Sequence, residues 1–469
     1  MEKFRIHLTI LMIGIMFSQG LNLSAMETTI PGWPSDLAMG TVTNNSEATE
    51  KLLCSAPVDA IFKYAGNDGG GDQGQILEPI TTEKTILQAR NVEKATKRNV
   101  MPVMVVYTID ASGGLWKAGQ DVLDNDNLMK HYVNLIRIAN KCEGFRDAAH
   151  SYPASLILNP DFLGMMQQQK DSDLARQISE GVIQVNAQLK TAIAYVVEHD
   201  HISCQGATSF TDDLKGYIQS INWTVQEFGP HVPFGWQENI WPFPPGANWI
   251  HQDYSDAELE SKITGNVVSF IEDLEVYSGQ YPPHFLVFDK YERDGLGSQA
   301  RPVGYCWNAR DWNNYMRYVG NISGGLNIPA ILWQILGGHM VGKNEVSVLD
   351  IDLHSANAPD YIFGDTTIGQ DLSNINPKVL SLDIPSTIYQ ATTVGDYLAK
   401  DQGVDWGQSH LQECVSSNVK AILWGGGSTT GVVSIVTNGD DGGWLSKKLE
   451  EYYKNPQPLG GLWGRFFCF

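Results

Sequence analysis

The stretch "HFLVFDKYERDG", residues 284–295, decides how the chain folds. Its apolar residues form one continuous run, and its charges, beginning with Asp289 and Lys290, all follow that run. A surface strand would alternate apolar and polar residues, and an amphipathic helix would space its apolar residues three and four apart. A continuous run that ends in charges is typical of a strand that is buried on both faces and opens into a solvent-facing loop.

The same pattern occurs eight times along the chain. Each short apolar run ends in polar, glycine-rich or aromatic residues, and helical patterns separate the runs. Repeated strand–helix alternation predicts a single-domain (β/α)8 TIM barrel with long βα loops. The competing doubly wound sheet usually carries a glycine-rich phosphate fingerprint after its first strand, and "TVTNNSEA" has none. Besides the opening stretch, the runs are "LAMGTVTNN" from Leu37, "VDAIFKYAGNDGGG" from Val58, "VMPVMVVYTIDASGG" from Val100, "ASLILNPDFLG" from Ala154, "VPFGWQENIW" from Val232, "IPAILWQILGGH" from Ile328 and "VKAILWGGGSTTG" from Val419.

The helical patterns have recognisable starts and faces. Residues 81–99 begin acidic and end basic, which suits a helix dipole. Residues 171–200 carry apolar residues at helical spacing. Ser255 and Glu258 have the spacing of a capping box before another apolar-periodic stretch. The longest connection runs from Gly338 to about Lys420, and within it "SANAPDYIFGDTTIGQDLSNIN", residues 355–376, shows no helical period. We predict a long loop insertion over about 338–390 that forms a lid or a cleft wall.

The first 25 residues have the features of a secretory signal. Lys3 and Arg5 precede the apolar "LTILMIGIMF", and Ala25 is suited to cleavage. The run is too short to span a bilayer. We therefore expect a barrel domain over residues 26–469 in a secreted or periplasmic protein without stable membrane insertion. Six cysteines spread through the remaining chain make disulfide bonds plausible, with pairing left open.

The net charge of −21 narrows the range of partners. A nucleic-acid-binding protein needs a basic face, and this composition disfavours one. The same negative charge disfavours polyanionic substrates, which it would repel. We expect a carbohydrate substrate, no nucleic acid, no cofactor and a monomeric chain.

Carboxylates follow several of the predicted strands. Barrel enzymes work at the carboxyl ends of their strands, where the βα loops converge. Asp110 follows the third strand, Asp161 the fourth and Asp289 the sixth. Two carboxylates across a cleft are what glycosidic cleavage needs, since one protonates the leaving oxygen and the other attacks or activates water. We predict these three aspartates as the catalytic set, although Asp161 also suits a helix cap and Asp110 a turn.

Other side chains at the same predicted rim suit sugar binding. Tryptophan faces stack on the C–H faces of sugar rings, while amides and charged groups bind hydroxyls. No metal-ligand motif occurs; the two histidines of "EHDH" at residues 198–201 are poorly spaced for helix-borne ligands. The predicted substrate-binding residues are Lys63, Asn159, Trp236, Glu238, Glu292, Trp333, Gln334, His339 and Trp424.

Two of these segments carry a family resemblance. "VVYTIDASGG" (residues 105–114), followed by "SLILNPDFLG" (residues 155–164), resembles the family 6 cellulases among the secreted barrel glycoside hydrolases. The resemblance implies that Asp110 is the general acid and that Asp161 matches the aspartate of an "EPD" segment. Asn159 stands where that family has glutamate. The match covers about sixty residues and is superfamily-level.

Three functions remain open at this point. A glycosidase acting on a neutral polysaccharide or oligosaccharide accounts for the carboxylates and tryptophans together. A catalytically inactive carbohydrate-binding barrel accounts for amides at rim positions, namely Asn159 and Gln334. A metal-assisted barrel hydrolase would rely almost wholly on carboxylates, with His339 as its one rim histidine.

Overall fold

The chain forms a closed barrel of eight parallel strands in a computed structural model. Each strand pairs with its neighbours in chain order, and the last pairs with the first, which confirms the predicted (β/α)8 TIM barrel. The structure describes residues 29–66, 75–109, 114–168, 183–206, 208–242, 246–291, 295–346, 350–401, 403–426, 431–435 and 441–460. The strands are β1 Ala38–Val42, β2 Ala60–Gly66, β3 Met101–Tyr107, β4 Ser155–Leu158, β5 Phe234–Glu238, β6 Phe285–Asp289, β7 Ala330–Ile335 and β8 Val419–Trp424.

Helices surround the barrel, and one of them begins at the capping box that its sequence predicts. Ser255 and Glu258 form the expected capping box, and Asn308 with Asp311 forms another at the start of the helix Ala309–Leu326. The helices are α1 Glu47–Leu53, α2 Ile80–Thr96, α3 Gly114–Leu123, α4 Asn125–Glu143, α5 Phe162–Gln168, α6 Val185–His199, α7 Leu214–Phe228, α8 Asp256–Leu259, α9 Gly265–Asp273, α10 Ala309–Leu326, α11 Ile351–His354, α12 Ala358–Phe363, α13 Pro377–Leu380, α14 Val394–Leu398, α15 Leu411–Ser416 and α16 Trp444–Tyr452. A π-helical turn, Glu260–Thr264, joins α8 to α9.

The predicted insertion after β7 contains local structure. It holds the short helices α11, α12 and α13 and two 3₁₀ turns, Leu372–Asn374 and Thr387–Tyr389. These turns are too short to show a helical period in the sequence, which is why the pattern indicated loop alone. Asp350, Asp371 and Asn376 start three of them by accepting backbone N–H bonds.

Two apolar clusters divide the core. The inner one fills the barrel with alternate residues of the strands, such as Val103, Val105, Phe285 and Val287. The outer one packs the other strand faces against the helices. Because successive side chains of a strand point to opposite faces, cluster membership shows which way a strand residue points. Burial of each large apolar side chain contributes roughly 1.5–3 kcal/mol, so both layers stabilise the barrel.

Three further expectations concern the signal sequence, disulfide bonds and membrane insertion. The predicted signal sequence falls within residues 1–28, outside the described residues. Cys54, Cys142, Cys204, Cys306 and Cys414 all carry free thiols, so no disulfide joins the described cysteines, and Cys468 is not among them. None of the helices in the described ranges is long and apolar enough to cross a membrane.

Candidate active site

Two of the predicted catalytic aspartates meet at the carboxyl end of the barrel. Asp289 is the last residue of β6, on the same face as the inward-pointing Phe285 and Val287. Asp161 follows β4 after Asn159 and Pro160. Both carboxylates are partly exposed, whereas the amides that contact them are buried. The two aspartates are therefore the more exposed residues of the site, and the amides that contact them form its buried part.

Gln237, on the inner face of β5, contacts both aspartates. Its Nε2 donates to Asp289 Oδ1 at 2.7 Å, and its Oε1 accepts the backbone N–H of Asp161 at 2.7 Å. Both ends of the amide are thus used, and the side chain is buried. A buried amide with both ends bonded has one orientation, because turning it over would place donor against donor. Gln237 therefore fixes the loop after β4 relative to the end of β6.

Asn239, one residue past β5, lies between the two carboxylates. Its Nδ2 donates to Asp161 Oδ1 at 2.8 Å and approaches Asp289 Oδ1 at 3.4 Å. Its backbone carbonyl accepts the Tyr318 hydroxyl from α10 at 2.7 Å. The side chain is fully buried beside Gly164, where an added Cβ would lie 2.2 Å from Asn239 Oδ1. Asn239 is not among the site residues predicted from the sequence, where its only signal is an amide that follows "QE" at the end of a strand.

Asn159 joins the ends of β3 and β4. Its Oδ1 accepts the backbone N–H groups of Thr108 at 3.0 Å and of Ile109 at 3.2 Å. The next residue in the chain is the predicted acid Asp110, which lies outside the described residues. Glu292, predicted to bind substrate after β6, also lies outside them. Asn159 therefore contacts the loop that carries Asp110, a role different from the predicted direct contact with substrate.

Three residues with left-handed backbone lie at this rim. Asn159, Asp161 and Gln334 have φ values of 37°, 70° and 54°. Such conformations cost non-glycine residues energy and persist where the surroundings enforce them. At Gln334 the strand is irregular, with a register shift against β8 between Leu332 and Ile335. A bulge re-aims a side chain, and Gln334 Nε2 accordingly reaches across the barrel to the hydroxyl of Tyr64.

An aromatic floor lies inside the barrel beneath the rim. It consists of Tyr64, Tyr107 and Trp333, all members of the inner cluster. The Tyr64 ring centroid lies 6.2 Å from that of Tyr107 and 6.1 Å from that of Trp333. Trp333 is one of the predicted substrate-contact residues, while the two tyrosines were not selected. Two buried donors here, Trp333 Nε1 and Asn159 Nδ2, have no hydrogen-bond partner within the described chain.

Three residues predicted to bind substrate point away from the rim, and we correct their assignment. Trp236, Glu238 and Trp424 are fully buried on the helix-facing side of β5 and β8. Trp236 Nε1 donates to Asn222 of α7, and Trp424 stacks on Phe363 of α12. Burial raises the pKa of Glu238 to about 8, and neither of its oxygens has a partner among the residues described. The sequence located them at strand ends but did not reveal which face they occupy.

The wider expectation of a tryptophan-lined cleft is corrected in the same way. Apart from Trp333, the fully buried tryptophans pack in the outer cluster between strands and helices, where they stabilise the fold. They are Trp236, Trp249, Trp307, Trp312, Trp406 and Trp424.

His339 and Lys63, which were predicted to bind substrate, are both largely buried in the protein. His339 is buried, with Nε2 2.8 Å from Glu345 Oε1 and its ring stacked on Trp444 at 4.8 Å. Burial lowers its pKa and the Glu345 hydrogen bond raises it, with a net upward shift. Lys63 leaves β2 on the face opposite Tyr64, where burial lowers its pKa. In the described ranges, no group of three or more His, Cys, Asp or Glu side chains is placed to hold a metal ion.

Together these features define a closed parallel barrel with a pair of amide-held carboxylates at the carboxyl ends of β4 and β6. No family model matches the chain, and no curated protein matches it. Among solved structures it is similar to an intracellular xylanase from Thermoanaerobacterium saccharolyticum, with 9% identity, 85% of this chain and 90% of that chain covered, and a TM-score of 0.37. It is similar to GH26C from Muricauda sp., with 10% identity, coverage of 90% and 86%, and a TM-score of 0.37. It also matches cellobiohydrolase II from Humicola insolens, with 11% identity, coverage of 64% and 69%, and a TM-score of 0.32. At such scores the likeness says nothing about the substrate of this chain.

Proposed function

We propose that this protein is a glycoside hydrolase acting on a neutral polysaccharide or oligosaccharide, with Asp161 and Asp289 as its catalytic carboxylates. The observation that carries the proposal is the pair itself: two partly exposed carboxylates from different strands, joined through one buried amide nitrogen. Hydrolysis of a glycosidic bond uses two carboxyl groups placed on either side of the bond.

Each carboxylate has a role that fits its setting. Asp289 Oδ1 faces the amide donors of Gln237 and Asn239, which stabilise a negative charge there. Asp289 therefore suits the base or nucleophile. Asp161 stands on the loop after β4 and acts as the general acid. Asp110 is a second candidate for the acid role, since its loop begins at the residues that Asn159 holds.

The floor and the net charge support a neutral sugar as the ligand. Aromatic faces such as those of Tyr64 and Trp333 suit the apolar C–H faces of sugar rings. A net charge of −21 repels polyanionic chains. The proposed site of action is outside the cytoplasm, on the strength of the predicted signal sequence.

The alternative is a carbohydrate-binding barrel without catalysis. It is favoured by the amides Asn159 and Gln334 at rim positions, where they bond to backbone and to Tyr64. Such a protein would bind sugars and release no products.

Reducing-end release from a panel of neutral polysaccharides tests the two functions. We expect release by the wild-type protein, and its loss in both Asp161→Asn and Asp289→Asn. Glu238→Gln is the matched control, because Glu238 lies next to the site in sequence and faces the helices. Glycan binding without release by the wild-type protein would overturn the hydrolase in favour of the binding barrel.

A further inference from the structure

The spacing of the two carboxylates bears on how the bond is cleaved. One nitrogen, Asn239 Nδ2, lies 2.8 Å from Asp161 Oδ1 and 3.4 Å from Asp289 Oδ1. Even if the three atoms were collinear, these two facing oxygens would lie less than ~6.5 Å apart, so the nearest approach of the two carboxylates is shorter than the ~6.5–9.5 Å separation of whole carboxyl groups in inverting glycosidases. That larger gap accommodates a water molecule between the carboxylate and the sugar. Retaining enzymes need no such space, and their carboxyl groups stand ~5–5.5 Å apart.

We propose that the site cleaves its substrate with retention of anomeric configuration, and that Asn239 is the positioning residue that sets the separation of Asp161 and Asp289. The inference rests on the proposed glycosidase function and adds the stereochemical outcome and the residue that determines it.

The surroundings of Asn239 are suited to this task. Gly164 of α5 closes one side of the amide, and an added Cβ there would also lie 2.9 Å from Asn239 Cγ. Tyr318 holds its backbone carbonyl at 2.7 Å. Gln237 also contacts both aspartates, at the Asp161 backbone N–H and at Asp289 Oδ1. An amide packed against Gly164, on a backbone held by Tyr318, holds its two partners at one spacing.

The chemistry follows in two balanced steps. In the first, an Asp289 carboxylate oxygen attacks the anomeric carbon, the bond from that carbon to the leaving oxygen breaks, and Asp161 gives its proton to that oxygen. A glycosyl ester of Asp289 results. In the second, Asp161 takes a proton from water, the water oxygen attacks the anomeric carbon, and the ester bond breaks to restore the Asp289 carboxylate. Two inversions give net retention, and one water is consumed.

Proton NMR of the first products formed by the wild-type protein tests the stereochemistry. We expect the anomer of the substrate linkage to appear first and the other anomer to grow in later by mutarotation. Immediate formation of the opposite anomer would overturn retention and leave the glycosidase standing. A wild-type protein that hydrolyses no glycan would overturn the proposed function itself.

Two substitutions test the positioning role. Asn239→Ala removes the shared donor, and we expect kcat to fall on the order of 10²-fold with KM little changed, since a small displacement of reacting groups carries such a cost. Asn239→Asp keeps the shape of the side chain and donates only when protonated, so its activity optimum should move to lower pH. Glu238→Gln is the control, and thermal melting of each variant reports folding. Folded Asn239 variants with the wild-type kcat and pH profile would overturn the role of Asn239.

Discussion

Gln237 and Glu238 are consecutive residues of one strand, and they have opposite environments. Gln237 points into the barrel and uses both ends of its amide, bonding to Asp161 and Asp289. Glu238 points toward the helices, where its two oxygens are buried without partners in the described structure. The acidic residue is thus the one whose side chain makes no hydrogen bond to the site within the described structure. A carboxylate at a strand end therefore indicates function only once the face of the strand that it occupies is known.

The largest effects are expected at the inward-facing carboxylates. Asp289→Asn should lower kcat at least about a thousandfold on every substrate, because it removes the attacking or activating oxygen. Asp161→Asn should lose as much on natural glycans, yet keep substantial activity on aryl glycosides whose leaving group needs no proton. Steady-state kinetics on both substrate types measures the difference. Equal losses on aryl glycosides would reject the acid role of Asp161.

The outward-facing carboxylate should affect stability instead of catalysis. Burial raises the pKa of Glu238 to about 8 from an ordinary 4.5. Between these values the folded protein holds a proton that the unfolded chain releases, so stability falls as pH rises, by up to ~1.4 kcal/mol per pH unit. Glu238→Gln should remove this contribution to the slope.

Denaturant unfolding at several pH values between 4.5 and 8 measures that slope. The same substitution at exposed Glu260 is the control. If Glu238→Gln leaves the slope unchanged, Glu238 does not hold a proton in the folded protein.

The barrel was predictable from the sequence because its signal is repeated and local. Each buried strand is an uninterrupted apolar run, and in "FLVFD" the alternation places Phe285, Val287 and Asp289 on one face. The capping box at Ser255 was equally readable, since it depends on two residues three positions apart.

The site was only partly predictable, because it depends on contacts between distant segments. Nothing in "WQEN" shows that Gln237 faces Asp289, or that Asn239 reaches Asp161 across 78 positions of the chain. At Gln334 a bulge changes the facing that simple alternation predicts. Trp236 and Trp424 were misassigned because tryptophan serves equally in a cleft and in a core.

Gly164 offers a way to disturb the inward side without removing any functional group. In Gly164→Ala the new Cβ would lie 2.2 Å from Asn239 Oδ1, so the amide must shift. We expect a destabilisation of roughly 1–3 kcal/mol from overpacking, and a kcat reduced about tenfold as the carboxylates move.

Gly324→Ala is the matched control for Gly164→Ala. It lies in helix α10 with no atom within 4 Å of the new Cβ. Alanine there should stabilise the protein by roughly 0.5–1 kcal/mol and leave kcat unchanged. Kinetics and melting of the two variants separate displacement of the site from a general effect of alanine in a helix. Equal kcat in both would argue against a tightly held Asn239.

The smallest effect is expected at the aromatic floor. Tyr64→Phe keeps the ring and removes the hydroxyl that accepts from Gln334 Nε2. Loss of one such hydrogen bond costs ~0.5–1.5 kcal/mol of folding stability. It also releases the Gln334 amide from its fixed position beside the proposed sugar site, so we expect KM to rise a few-fold while kcat stays close to wild type. Tyr152→Phe, at an exposed tyrosine outside the barrel, is the control. A change in kcat larger than that in KM would mean that Tyr64 acts on the reacting groups and not on the bound sugar alone.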